Sequence, residues 1–191
     1  MVAAAATVLS LLPALAGAQG RVIALPDTLG ANFSIADSAR ALGTPRDYDF
    51  LLGFWHFRFQ YRNEAGSFGE FRGHWSFEMK PGGGPVIDAW RPDDPSEPMG
   101  HSLYTVRVFN PELKVWELVG ARAADGTLTP GKSWVSDGNL YLVQRTRTGL
   151  MRVRYFAIET NRFFWRADHS TDNGKTWLRD SGVMEATRIS R

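Results

Sequence analysis

The sequence predicts an all-β protein, an antiparallel up-and-down barrel of about ten strands, with a sandwich of two sheets as the alternative. Three observations predict it. From Gly53 onward apolar and aromatic residues recur at every second position, the period of a strand with one buried face. Turn residues break this pattern at short intervals: Asn63-Glu64-Ala65-Gly66, Pro81-Gly82-Gly83-Gly84, Asn110-Pro111, Asp125-Gly126, Asp137-Gly138-Asn139 and Asp172-Asn173-Gly174. Links this short force neighbouring strands to run antiparallel, because a parallel pair needs a long crossover. Finally, all 7 Trp lie after residue 50, so the core belongs to this part of the chain.

In chain order, residues 1–18 read as an export signal. The stretch MVAAAATVLSLLPALAGAQG carries no charged side chain, and its apolar run from Val2 to Leu15 ends in Ala16-Gly17-Ala18, a small-x-small cleavage pattern. A bilayer span needs about 17 or more apolar residues, and Pro13 interrupts this run. Residues 19–46 form an N-terminal extension. In it NFSIADSARAL predicts a short helix or plug capped by Asn32 or Ser34. GTPRDYDFLLG is a tight turn into the first strand, and residues 47–191 form the barrel domain. The strands that follow include SLYTVRVF, KVWELVG, NLYLVQR, MRVRYFAI and RFFWRA.

The first hairpin is legible in more detail. On 54–62 the aromatic face is odd-numbered (Trp55, Phe57, Phe59, Tyr61), and on 68–79 it is odd again (Phe71, Trp75, Phe77, Met79). Odd must therefore pair with odd. One register sets Trp55 opposite Trp75 and His56 opposite His74, but also Arg58 against Arg72, which costs stability. A shift by two residues pairs Arg58 or Arg62 with Glu70 instead.

Composition narrows the function. The formal net charge is +2 with Lys and Arg scattered among Asp and Glu, so a pI of about 9.1 gives no basic stripe for nucleic acid. With no cysteine there is no disulfide and no lipid-modified N-terminal Cys. The expected location is periplasmic or extracellular, in soluble form without a transmembrane span.

The motifs DYDFLLGFW (Asp47 to Trp55), VFNPELKVWEL (Val108 to Leu118) and STDNGKTW (Ser170 to Trp177) resemble a family of uncharacterised bacterial secreted proteins. That family, a domain of unknown function, has a calycin-like, lipocalin- and nitrobindin-related β-barrel. The second motif is similar to its Asp-Pro-x-x-x-x-Trp hairpin, with Asn110 in place of Asp, and the third to its last hairpin. The resemblance covers about residues 45–190. It implies that Gly53 and Trp55, the Gly-x-Trp element, close one barrel end. It also implies an arginine from a late strand across the indole, with Arg188 the first choice and Arg166 the second.

Several constellations bear on chemistry. STDNGKTW also fits the Ser-x-Asp-x-Gly-x-Thr-Trp box of sialidase propellers, but one copy in a chain this short is a hairpin device. His169 continues the alternation of Phe163, Trp165 and Ala167, so it is expected to face inward. By resemblance to nitrobindins it would ligate haem, with Met151 or Phe156 near the porphyrin; against this, His56 and Phe57 replace the wider Gly-x-Trp-x-Gly signature. His56, His74, His101 and His169 lack zinc-site spacings, so no metal is expected, and no cofactor other than that haem. There is no Gly-x-Ser-x-Gly; Asp93-Asp94 lie in a Pro-rich loop, and PGGGP lacks the Lys-Ser/Thr of a phosphate cradle. Arg152 and Arg154 form either an outward ladder paired with Glu117 or Glu159, or place Arg154 inside a cavity as an anchor for an acidic head group.

These readings converge on a binding module rather than an enzyme. Its ligand is a small apolar or amphipathic molecule in an interior lined by Phe57, Phe59, Tyr61, Phe71, Trp75, Tyr155 and Trp165. Arg154 and His169 are the candidate polar anchors. The alternative is a barrel filled by its own aromatics, acting as a structural or interaction module.

Overall fold

The computed structural model describes residues 43–62, 66–97 and 102–191. The expected export signal and the short helix over 32–42 lie outside these residues. One turn of 3-10 helix, Asp49–Leu51, leads into ten strands. They are β1 (Gly53–Arg62), β2 (Phe68–Met79), β3 (Val86–Pro92), β4 (Leu103–Asn110) and β5 (Val115–Arg122), then β6 (Leu128–Ser136), β7 (Asn139–Thr146), β8 (Gly149–Phe156), β9 (Arg162–Ser170) and β10 (Leu178–Ser190). Each pairs antiparallel with its sequence neighbour, and β1 pairs with β10, so the sheet closes into a barrel. The barrel, rather than the sandwich, is the answer to the aromatic alternation. Closure leaves no edge strand unpaired and buries one face of every strand together.

The register of the first hairpin is the one with Trp55 opposite Trp75, His56 opposite His74 and Arg58 opposite Arg72. The expected repulsion is relieved diagonally. Arg58 turns to Glu70 and binds it through two parallel bonds, Nε to Oε1 at 2.8 Å and Nη2 to Oε2 at 2.7 Å. Gln60 Nε2 adds a third at 2.9 Å, and these bonds hold the Glu70 carboxyl below its ordinary value. Both registers that the sequence allows thus contribute: one sets the backbone, the other the ion pair.

The odd face of β1 and β2 points inward. Phe57 rests on the wall opposite Gly73, its cross-strand partner, where an added Cβ would come within 2.5 Å of the ring. Glycine is needed here because the ring occupies the space a side chain would take. Outside the barrel, two satellite clusters cover the sheet: Val115 with Trp134 and Tyr141, and Phe156 with Phe164 and Val183.

One end is sealed by the start of the domain. Tyr48 and Leu51 are fully buried, and Trp55 donates its indole N–H to Leu51 O at 2.7 Å. Arg188, opposite Trp55 on β10, lies over the indole with its Cζ 4.0 Å from the ring centre. Its guanidinium donates to Leu52 O at 2.6 Å, Phe50 O at 2.5 Å and Thr160 O at 2.8 Å. Arg166 is elsewhere, paired with Asp180 at 3.0 Å. Gly53 starts β1 at φ 114, a left-handed conformation, and a Cβ there would come within 2.4 Å of Ser190 O.

Arg188→Ala removes a cation–π contact and leaves three carbonyls without their charged donor. It should lower the unfolding free energy by about 3 kcal/mol in urea titrations. Arg188→Lys, which keeps the charge but not the planar fork, should recover less than half of that loss. A loss in Arg188→Ala of less than about 1 kcal/mol would show that the end is held by other contacts.

Candidate functional site: the barrel interior

The interior has two unlike walls. The first is aromatic, from β1, β2, β3, β8 and β9. Phe59 is its hub, with ring centres 5.1 Å from Phe71, 5.4 Å from Trp90 and 5.6 Å from Trp165. Trp75 extends it to Tyr155 at 6.1 Å and Phe163 at 6.4 Å. The second wall, from β5 to β7, is smaller and more polar. Thr129 donates its hydroxyl to Gly120 O at 3.2 Å, and buried Gln144 donates Nε2 to Thr129 Oγ1 at 2.6 Å. Alternation explains the contrast: the inward positions of β1 and β2 are aromatic or Gly, with Met79 the one exception, whereas those of β6 are Thr129, Gly131, Ser133 and Val135.

A buried ion pair bridges the two walls. Asp88 on β3 and Arg107 on β4 are 1% and 2% exposed and in direct contact. Asp88 Oδ1 also accepts the Trp75 indole N–H at 2.7 Å. The Arg107 guanidinium lies against the Tyr48 ring at 5.0 Å and the Phe77 ring at 5.6 Å. Above it, the Tyr48 hydroxyl shares a 2.7 Å hydrogen bond with Ser133 Oγ. Burial pushes the Tyr48 and Tyr155 hydroxyls up from the ordinary tyrosine value, and the Arg107 cation opposes that shift without reversing it. Both tyrosines are therefore neutral at any physiological pH, and the net charge of the pair is zero. Inside a protein, charges survive only when matched in this way.

Seven of the residues expected to line the interior are brought together there: Phe57, Phe59, Tyr61, Phe71, Trp75, Tyr155 and Trp165. Most pack against one another, with Phe57 fully buried and Trp165 7% exposed. Arg154 is a correction. On β8, Met151, Val153 and Tyr155 face inward, so Arg154 points out, over Tyr141 at 5.8 Å and Phe156 at 5.5 Å. Arg152 is outward too, but its partner is Asp168 (Nε to Oδ2, 2.8 Å) rather than Glu117 or Glu159. Arg154 anchors no ligand in the interior.

His169 does lie on the inward parity of β9, at the end opposite Trp55. It is the cross-strand partner of Met151, and its Nε2 is 3.2 Å from Thr148 Oγ1. Phe156 belongs to an outer cluster, so of the two alternatives expected near the porphyrin, Met151 is the one beside His169 on the inward face. Around this rim Tyr61, Trp90, Met151 and His169 face inward yet are only half-buried. The Trp90 indole nitrogen is itself buried and meets no acceptor among the described residues. No three His, Asp or Glu among the described residues stand ready to hold a metal ion.

Sequence reasoning missed Asp88, Arg107 and Trp90. Asp88 and Trp90 share the parity of Val86, so the pattern Val-x-Asp-x-Trp carried a readable signal: a carboxylate on an apolar face. Arg107 carried none, because on β4 the more apolar face is the outer one, with Tyr104, Val106 and Val108 partly exposed.

Removing one member of the buried pair should cost far more than removing both. Arg107→Met is expected to destabilise by about 3–5 kcal/mol, since it strands Asp88, while Asp88→Leu/Arg107→Met should cost well under the sum of the two single changes. Chemical denaturation of the four proteins in the cycle measures this. Additive losses would mean that the two charges do not depend on each other.

No protein-family model matches the chain, and no curated protein matches it. Solved structures do. The S-type phycobiliprotein lyase CPES from Guillardia theta superimposes with a TM-score of 0.58 at 12% identity, over 84% of this chain and 99% of that one. Rv2717c from M. tuberculosis gives a TM-score of 0.51 at 17% identity, over 82% and 99%. At such identities the likeness is one of fold, and it identifies the architecture as a ten-stranded barrel of the calycin, lipocalin-like type.

Proposed function

We propose that the protein binds a small apolar or amphipathic molecule at the His169 end of its barrel. The observation that carries this reading is the rim. Tyr61, Trp90, Met151 and His169 point into the lumen and are nevertheless only half-buried, so an entering molecule would meet aromatic and thioether surface first. The two walls suit an amphipathic shape, with rings on one side and hydroxyl and amide groups on the other. The buried Trp90 N–H supplies a donor for one acceptor atom of the ligand.

One structural neighbour is a phycobiliprotein lyase, so a barrel of this shape serves an enzyme elsewhere. Here the strongest interior charges are spent on each other, which favours binding over catalysis. The uncharged apolar run from Val2 to Leu15, with Ala16-Gly17-Ala18 after it, supports export to the periplasm or the exterior. The Asp47–Trp55, Val108–Leu118 and Ser170–Trp177 motifs support kinship with the secreted calycin-like family.

The test is displacement of the fluorescent dye 1-anilinonaphthalene-8-sulfonate by a medium-chain fatty acid. Dye affinity should change about fivefold or more in Tyr61→Trp, at the rim, and in Trp165→Ala, deeper on the aromatic wall. Affinity unchanged in both, with circular dichroism intact, would place the dye outside the barrel and sink the proposal. A parallel titration with haemin examines His169: a Soret band lost in His169→Ala would make the ligand a haem.

A further inference from the structure

The last hairpin and the start of β10 build a second feature, on the outside of the barrel. Asp172 organises the turn: its Oδ1 accepts from Ser170 Oγ and the Thr176 backbone N–H, each at 2.8 Å, and its Oδ2 from the Thr176 hydroxyl at 2.7 Å. These bonds, the Thr176 backbone N–H first, hold its carboxyl down to about 2. Asp172 is thus an anion already committed to the turn. Trp177 closes the loop with its indole N–H on Gly174 O at 3.1 Å.

Beyond the turn β10 bulges. Leu178 pairs with His169 and Gly182 with Ala167, so Arg179, Asp180 and Ser181 stand opposite Asp168 alone. Asp180 takes a left-handed φ of 51, and the bulge is pinned by Asp180 N–H to Asp168 Oδ1 at 3.0 Å and by Ser181 Oγ to Ala167 O at 3.1 Å. Bulges re-aim side chains and gather near binding sites, and a non-glycine residue held at positive φ is strain that the surroundings must maintain.

Between bulge and turn lies a cleft of about 280 Å³, lined by Arg152, Lys175, Thr176, Trp177 and Arg179. Three of its five lining residues are cations and none is a carboxylate. Arg152 is 7% exposed and fixed in place, between Asp168 and the Trp177 ring, whose centre lies 4.3 Å from its Cζ. The neighbouring carboxylates are taken: Asp168 by Arg152, and Asp180 by Arg166 at 3.0 Å. Lys175 and Arg179 form no ion pair among the described residues, though they flank the same cleft. The whole stretch from 139 to 191 carries twice as many Lys and Arg as Asp and Glu, which deepens the positive potential there.

We propose that this cleft is a binding site for the oxyanion group of a small acidic molecule, separate from the barrel interior. Lys175 and Arg179 close on the anion from the solvent side, and Arg152 is the buried cation behind them. The volume suits a single phosphate, sulfate or carboxylate group on a small body, being below the usual size of a drug-like pocket. Guanidinium pairs with such oxygens through two parallel bonds, and an anion would relieve the mutual repulsion of the cations.

The experiment follows the Trp177 indole N–H signal, assigned by its loss in Trp177→Phe, in the full chain labelled with ¹⁵N-tryptophan. Inorganic phosphate, sulfate and acetate are titrated in turn at ionic strength held constant with sodium chloride. The expected result is a saturable shift of the Trp177 signal with the other indole signals still. In Lys175→Gln/Arg179→Gln, both exposed positions, half-saturation should move at least tenfold higher. Saturation by phosphate and sulfate alone identifies a tetrahedral oxyanion, and saturation by acetate as well identifies a general carboxylate site. A linear shift shared with chloride, or a saturable one indifferent to the double substitution, overturns the proposal.

Discussion

The pairing of β1 with β10 is the constraint on which the rest of the molecule depends. Without it ten strands form an open sheet with two edges and an aromatic face turned to water. The ladder is held from Phe54–Ser190 to Tyr61–Gly182, and Arg188 secures its end. That one side chain covers the Trp55 ring and ties the carbonyls of Phe50, Leu52 and Thr160, which belong to the segment before β1 and to the link between β8 and β9. A guanidinium suits this position because it is flat enough to stack on indole and carries donors enough for three acceptors. Closure, plug and strand order are thus coupled through a single residue near the C-terminus.

Once the barrel is closed at that end, the interior must be filled or used. Rings from β1, β2, β3, β8 and β9 fill the side nearest the closure, and the Asp88–Arg107 pair crosses from that wall toward β4. Such a pair adds little net stability over an apolar equivalent, but it penalises any rearrangement that separates its members. It therefore fixes how the aromatic wall sits against Tyr48 and Trp75. What remains toward His169 is a lumen end with small and polar residues facing rings, and the proposed binding function rests on that asymmetry.

Much of the fold was legible in the chain. Period-two aromatics gave the inward faces of β1 and β2, and the turn residues located six of the nine links between strands, missing β3–β4, β7–β8 and β8–β9. The Gly-x-Trp resemblance pointed to Arg188 as the residue over Trp55. The interior was legible where its residues continue an aromatic alternation, His169 included, and not at Arg107. Arg107 was hidden because the outer face of β4 carries Tyr104, Val106 and Val108, more hydrophobic than the inner face it competes with. Arg154 was ambiguous for a related reason: both faces of β8 are buried in part, the outer one under side chains such as Phe156 and Tyr141. Periodicity reports burial, and where satellite clusters bury the outside it cannot distinguish lumen from surface. The β10 bulge left no trace in the pattern, since two extra residues only restore the parity on either side of it.

Native mass spectrometry of the chain purified gently from an export-competent host shows directly whether the lumen holds a ligand. A ligand-binding lumen predicts one small non-covalent adduct per polypeptide, and its depletion in Met151→Trp, which fills the rim at the His169 end while leaving the Trp55–Arg188 closure untouched. An adduct retained at full level in that variant, or a bare polypeptide that also fails to take up added fatty acid, would contradict a ligand-binding lumen. It would leave a filled barrel whose work is done on its outer face.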